Sequence, residues 1–308
     1  MEYLLSNPLD SPLLLPSVYR LGGLLLGILL FILILERQRL GQLNQNVLFR
    51  RWRTWVTIAP VYLLGVLGGP LTTLLLILGL SLQGLREYAG LVELPANYRR
   101  VLYLMGMVAA PVALISLDGF YLLAPLLLIL ATLQPLAFGD STQGVRHLAF
   151  AALGWGYIAW FLAHMILIHQ DLPGGPGILL ALGLGVAMSD VGAFTVGKAL
   201  GRHQLSPRIS PNKTWEGVAG NFLGAFLGVG IMGFALAGAN FWLLTLVLPV
   251  VIALGSVWGD LVESAIKREF QAKDAGDWLP GFGGILDRID SLILVLPLVY
   301  YFIRLTTG

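Results

Sequence analysis

Long runs of Leu, Ile, Val, Phe, Ala and Gly recur from one end of the chain to the other. Many approach the ~20 residues that a helix needs to cross about 30 Å of hydrocarbon. The alternation of these runs with short polar breaks predicts about ten membrane-spanning helices, near 17–35, 54–69, 71–88, 101–117, 120–138, 147–168, 176–198, 215–238, 241–262 and 286–304. The breaks fall on turn formers and charges: Gly68-Gly69-Pro70, Asp118-Gly119, and Asp171-Leu172-Pro173-Gly174-Gly175-Pro176. The tight Gly-Gly-Pro link predicts that the second and third spans form an antiparallel hairpin. No internal repeat is visible, which weighs against inverted-repeat transporter folds. The fold class read from this pattern is all-α, a polytopic integral membrane protein. The first run, Leu21 to Leu35, ends in a charged segment without a small-residue cleavage site, so it reads as a retained helix and not a signal peptide.

Composition agrees. Of 308 residues, 57% are hydrophobic and 12% charged, about half the charged share of a soluble domain. A net charge of +2 is too small to imply a nucleic-acid partner, and the lack of cysteine excludes disulfides, thiolate chemistry and Cys-based metal sites. When the ten spans are laid down alternately, every Lys and Arg except Arg20 and Arg304 falls on one side. Basic excess marks the cytoplasmic face, so both termini are expected on the opposite face. The Arg-rich segment 37–53 reads as a topology-setting loop. It also suits an interfacial helix that gathers anionic lipid, with Leu43, Val47, Leu48 and Trp52 on its apolar side.

The chemistry-bearing residues gather late in the chain. All four lysines lie between 198 and 273, and charges in or beside spans are functional candidates because they are costly there. Asp190 sits within the seventh span and Lys198 at its end. Ser210-Pro211-Asn212-Lys213-Thr214-Trp215-Glu216-Gly217 leads into the eighth span, offering hydroxyls, a lysine and a helix N-terminus to a phosphate; an ordinary loop with Thr214 as N-cap accounts for the same residues. Further on, Asp260, Ser264 and Lys267 share a helix face at spacings of four and three, and Asp287, Asp290 and Ser291 repeat the pattern where the last span begins. Two carboxylate-bearing helix ends around a glycine-rich turn, with lysines nearby, suit Mg²⁺ and substrate phosphates. Helix-end salt bridges between loops and lipid headgroups are the alternative, and the cost of burying carboxylates this close to spans weighs against it.

The stretch Ser264 to Asp290, SAIKREFQAKDAGDWLPGFGGILDRID, resembles the signature of the phosphatidate cytidylyltransferase (CDP-diacylglycerol synthase) family at every position but one, where the family's His is Phe282. Asp190-Val191-Gly192-Ala193-Phe194 and Ser210 to Gly217 are similar to two upstream family motifs, and the resemblance is specific over roughly 185–295. It implies transfer of CMP from CTP to phosphatidic acid with release of pyrophosphate, an all-helical fold, a homodimer among membrane lipids, and Mg²⁺ with a K⁺ alongside, in a bacterial inner membrane with the active site facing the cytoplasm. The implied metal aspartates are Asp260 and Asp287. Lys267 and Lys273 join them as catalytic candidates. Asp190, Lys198, Ser210, Asn212, Lys213, Thr214, Glu216, Ser264, Arg268, Asp274, Gly283, Gly284, Arg288 and Asp290 are the substrate-binding candidates. On this reading residues 1–170 are membrane-anchoring helices with possible dimer contacts, and 171–308 form the catalytic region.

Phe282 cannot ligate metal or carry a proton, so a catalytically weak or silent paralogue stays open. So do a CTP-dependent lipid kinase, which would need a base for its alcohol, and a transporter, against which the gathering of charge at one rim argues. His147, His164, His169 and His203 lack metal-ligand spacing and read as structural or interfacial.

Overall fold

A single segment satisfies its backbone in hydrocarbon only by becoming a helix, and the apolar runs do so. The computed structural model describes residues 4–37, 40–236, 241–276, 278 and 283–307. In order, the described residues form α1 (Leu14–Leu35), α2 (Val47–Leu67), α3 (Pro70–Leu91), α4 (Ala96–Ile115), α5 (Leu117–Ala131), α6 (Gln134–Phe138), α7 (Gly144–Gly154), α8 (Phe161–Asp171) and α9 (Gly175–Leu200). A short hairpin, β1 (Gln204–Ser206) and β2 (Ser210–Thr214), then leads to α10 (Trp215–Ile231), α11 (Phe241–Glu269) and α12 (Leu286–Thr307).

The chain is an all-α polytopic membrane protein. Among the described residues, eight helices are long and apolar enough to cross a bilayer, short of the ten expected. The two that fall outside are α2, which carries Arg50, Arg51 and Arg53 in its first two turns, and α10, which has only 17 residues. Residues 47–53 of the Arg-rich segment are the start of α2 itself: Asn46 caps it by accepting from Leu48 N and Phe49 N. At the other end of the chain α11 outruns its expected boundary by two turns, so Glu263, Lys267 and Arg268 are helical. The β1–β2 hairpin was not foreseen. It pairs Gln204 with Thr214 and Ser206 with Ser210.

The connection at Gly69, with φ of +99° and Pro70 opening α3, makes the expected α2–α3 hairpin. At the centre lies the span 144–171, the most buried of the eight. It is interrupted by a π-helical turn at Trp155–Trp160, a feature that often marks functional sites. Around it, α3 and α4 pack on one side and α9 and α12 on the other. The closest pair is α9 and α10. Gly220, Gly224 and Gly228 repeat at every fourth residue, and a methyl at Gly228 would lie 2.5 Å from Leu184 O while one at Gly224 would overlap Met188 O. Small residues at this spacing let backbones approach in a membrane. The contact draws the α9 end bearing Asp190 toward the hairpin.

Candidate functional site

Where α9, α10, α11 and α12 meet the β2 strand, a cavity of about 370 Å³ opens. Helix α9 contributes Asp190 and Phe194, β2 contributes Ser210, Asn212, Lys213 and Thr214, and α10 contributes Asn221. From α11 come Ser256, Asp260, Glu263 and Lys267, and from α12 Asp287, Arg288, Asp290 and Ser291. Residues from two motifs more than forty positions apart in sequence therefore share one wall.

The ion pairs are specific. Lys213 Nζ lies 2.5 Å from Asp260 Oδ2. Lys267 Nζ is 2.7 Å from both Glu263 Oε2 and Asp287 Oδ1, joining α11 to the start of α12. Asp287 also accepts from Gly284 N at 2.9 Å and Ala275 N at 3.0 Å. Oxygens of Asp260, Glu263 and Asp290 lie within 4.8 Å of one another. Glu263 and Asp290 are buried, and Glu263 Oε1 takes no hydrogen bond among the described residues. Around the cavity five carboxylates face three cationic side chains. Fully ionised, they leave an excess of two negative charges, which one divalent cation would offset. An all-oxygen donor set with a buried, unpartnered carboxylate oxygen fits Mg²⁺.

The eighteen candidates from the sequence do not behave alike. Asp190, Ser210, Asn212, Lys213, Thr214, Asp260, Lys267, Asp287, Arg288 and Asp290 line the cavity, and Ser264 stands behind it, its hydroxyl 3.5 Å from Asp260 Oδ1. Thr214 is also the N-cap of α10, accepting from Gly217 N at 3.1 Å, as the ordinary-loop reading of that segment has it. The remaining candidates lie outside the wall. Glu216 accepts from Arg202 N and His203 N and pairs with His203 Nδ1 at 2.7 Å, bracing the loop. Arg268 Nε donates to Ile209 O and pins the hairpin to α11. Lys198 Nζ lies 5.6 Å from the Phe194 ring centroid. Lys273 and Asp274 are exposed in the turn after α11. Gly283, with φ of +83°, and Gly284 fold around Asp287 and Glu87. Phe282 lies outside the described residues.

Sequence reasoning missed Glu263 and Glu87. Glu263 carried a usable signal, being three residues after Asp260 and four before Lys267 on the same helix face. Glu87 is an acid inside an apolar span of the region assigned to anchoring. Tyr157, from the π turn, is a second contribution from that region, donating to Gly259 O at 3.2 Å. Three of the four histidines are hydrogen-bonded within the fold: His164 Nδ1 is 3.0 Å from Trp160 O, His169 Nε2 is 2.9 Å from Val66 O, and His147 Nδ1 is 2.7 Å from Asp140 Oδ2. That last hydrogen bond holds the Asp140 carboxyl, in the loop before α7, below its ordinary range.

A second pocket adjoins the polar one. It is an apolar groove of about 610 Å³ between α10, α11 and α12, and it shares Leu205, Val218 and Val257 with the polar cavity. Trp215 and Trp258, both largely exposed, flank it.

Comparison with known proteins matches residues 49–306 to the model of the cytidylyltransferase family. The chain is 35% identical over 263 residues to a protein of Escherichia coli K12 named only as uncharacterized protein YnbB, covering 82% of this chain and 86% of the relative. It is 31% identical over 262 residues to the phosphatidate cytidylyltransferase of Bacillus subtilis, covering 83% and 97%. With the phosphatidate cytidylyltransferase of Brucella suis it shares 37% identity over 161 residues, covering 52% of this chain and 59% of the relative.

Proposed function

We propose, from the premise that the chain belongs to the cytidylyltransferase family, that it is a CTP:phosphatidate cytidylyltransferase, making CDP-diacylglycerol and pyrophosphate. The observation that carries the substrate pair is the junction of the polar cavity with the apolar groove at Leu205, Val218 and Val257. One compartment suits a triphosphate and a lipid phosphate, and the other suits an acyl chain. The named relatives in Bacillus and Brucella agree with this reading.

The chemistry asks little of a general base. A phosphate monoester has a second pKa near 6, so the lipid phosphate arrives largely ionised. One of its oxygens attacks the α-phosphorus of CTP, a new P–O bond forms, and the bond to the β-phosphate breaks with its electrons leaving on pyrophosphate. The obstacle is bringing two polyanions together, and positioning with charge neutralisation removes it. Asp260, Glu263 and Asp290 would hold a divalent cation, with Asp287, the other implied ligand, adjacent through Lys267. Such a cation supplies charge neutralisation to the triphosphate. Lys213 and Lys267, fixed by their carboxylate partners, present ammonium groups to the phosphates, and Lys273, exposed in the turn after α11, is the third lysine this reading assigns to them. The K⁺, the homodimer, and an inner-membrane location with the site toward the cytoplasm belong to the same proposal.

The test uses purified protein with phosphatidic acid, Mg²⁺ and CTP labelled at either the α- or the γ-phosphate. Label from the α-position should enter the lipid, and label from the γ-position should leave as pyrophosphate. Transfer of the γ-label to lipid would make the protein a kinase and overturn the reading.

A further inference from the structure

Glu87 is a buried acid in α3, outside the region that carries the motifs. A carboxylate in a membrane-spanning helix, as Glu87 is, is costly unless it is paired. Its partners are hydrogen-bond donors, and most belong to the signature turn. Glu87 Oε2 accepts from Leu286 N at 2.8 Å and Oε1 from Ile285 N at 3.1 Å. These are amides at the first turn of α12, which no intrahelical carbonyl can satisfy, and a negative group is favoured there. Gln83, one turn earlier in α3, donates to Glu87 Oε1 at 2.8 Å and fixes the carboxylate's rotation. Both flanking glycines are shaped by it. A methyl at Gly276 would lie 3.0 Å from Glu87 Cδ, and one at Gly284 would overlap Glu87 Oε2.

The clamp is one short step from the cavity. Gly284 N, adjacent to the clamped Ile285 N, donates to Asp287, as does Ala275 N across the turn, and Asp287 holds Lys267 against Glu263. We propose that Glu87 is a positioning residue, which fixes the α12 N-terminus so that Asp287 and Lys267 stand in register with the carboxylates of α11. A displacement of about 1 Å at such a centre costs on the order of 10²-fold in rate. Glutamine at this position keeps the size and one acceptor oxygen, but its NH₂ cannot accept the second amide.

The assignment rests on the proposed activity for its kinetic arm alone, so the experiment carries a second arm that does not. In Glu87→Gln, hydrogen exchange should quicken at Ile285 and Leu286, which lose an acceptor, and also at Ala275 and Gly284, whose amides donate to Asp287 and not to Glu87. In the same folded preparation, at unchanged CTP-binding stoichiometry, kcat should fall tenfold or more while KM for CTP stays within threefold. Gly284→Ala leaves α3 intact and pushes a methyl at the clamp, so it should reproduce the exchange pattern if Glu87→Gln does not fold. Unchanged exchange at Ala275 and Gly284 in the folded variant would overturn the proposal. So would a kcat loss matched by an equal loss of CTP-binding sites, which marks a merely structural residue. An inactive parent with the expected exchange pattern would count against the activity and leave the clamp standing.

Discussion

Lys267 sits between two carboxylates on different helices, and Asp260 between Lys213 and Ser264, so charge and not volume should govern the effect of changing them. Asp260→Asn and Asp287→Asn should each cost at least about 100-fold in kcat while leaving the protein monodisperse; near-normal activity of either at low Mg²⁺ would remove that residue from the metal's surroundings. Glu263→Gln tests the third carboxylate, and the half-saturating Mg²⁺ concentration should rise about tenfold or more, equivalent to roughly 1.4 kcal/mol. Phe282 tests the one departure from the signature. With an ionised nucleophile the native protein should be active, and Phe282→His should change its rate by less than about tenfold, roughly 1.4 kcal/mol of barrier. A rescue of a hundredfold would mark that position as an essential acid. Much of this centre was legible because Lys267, Asp287 and Asp290 lie within one signature and Asp260 stands one helical turn before it. Glu87 was not, because its partners are nearly 200 residues away and are backbone amides, which leave no trace in side-chain spacing.

The helices were legible as elements because each satisfies its own backbone, so apolar length alone marks them. Their ends were less so: α2 and α11 both run past the apolar stretch into charged residues, where capping by Asn46 and the Lys267 ion pairs sustain the helix. The hairpin escaped notice because SPNKT has no strand alternation and is held by pairing and by Glu216. The α9–α10 contact makes a further prediction. Gly224→Ala places a methyl against Met188 O, and overpacking of this kind costs about 1–3 kcal/mol. The melting temperature in detergent should drop by about 3 °C or more. Gly230→Ala, whose methyl meets nothing within 4 Å, should leave it unchanged. Equal effects would mean that the two helices do not approach as described.

For the whole molecule, the expectation from sequence that basic residues gather on one face and the meeting of 204–214 with 260–291 in one cavity make the same demand. Single cysteines at Gln204 and Ala275 should be labelled by an impermeant reagent from one face only, the cytoplasmic one; labelling from opposite faces would dismantle the layout. The cavity is lined by α9–α12 and β2, yet Glu87 of α3 accepts from the amides at the start of α12 and Tyr157 donates to Gly259 O of α11, so the elements that line the cavity are also hydrogen-bonded from the N-terminal helices. All of this converges on a site that joins a nucleotide to a lipid phosphate. The most direct measurement counts pyrophosphate and cytidylylated lipid together, in phosphatidate micelles with CTP and Mg²⁺, for the parent and for Asp260→Asn. One pyrophosphate per lipid product from the parent, with both lost in the variant, is the predicted result. Pyrophosphate without lipid product, or equal rates from the two proteins, would contradict it.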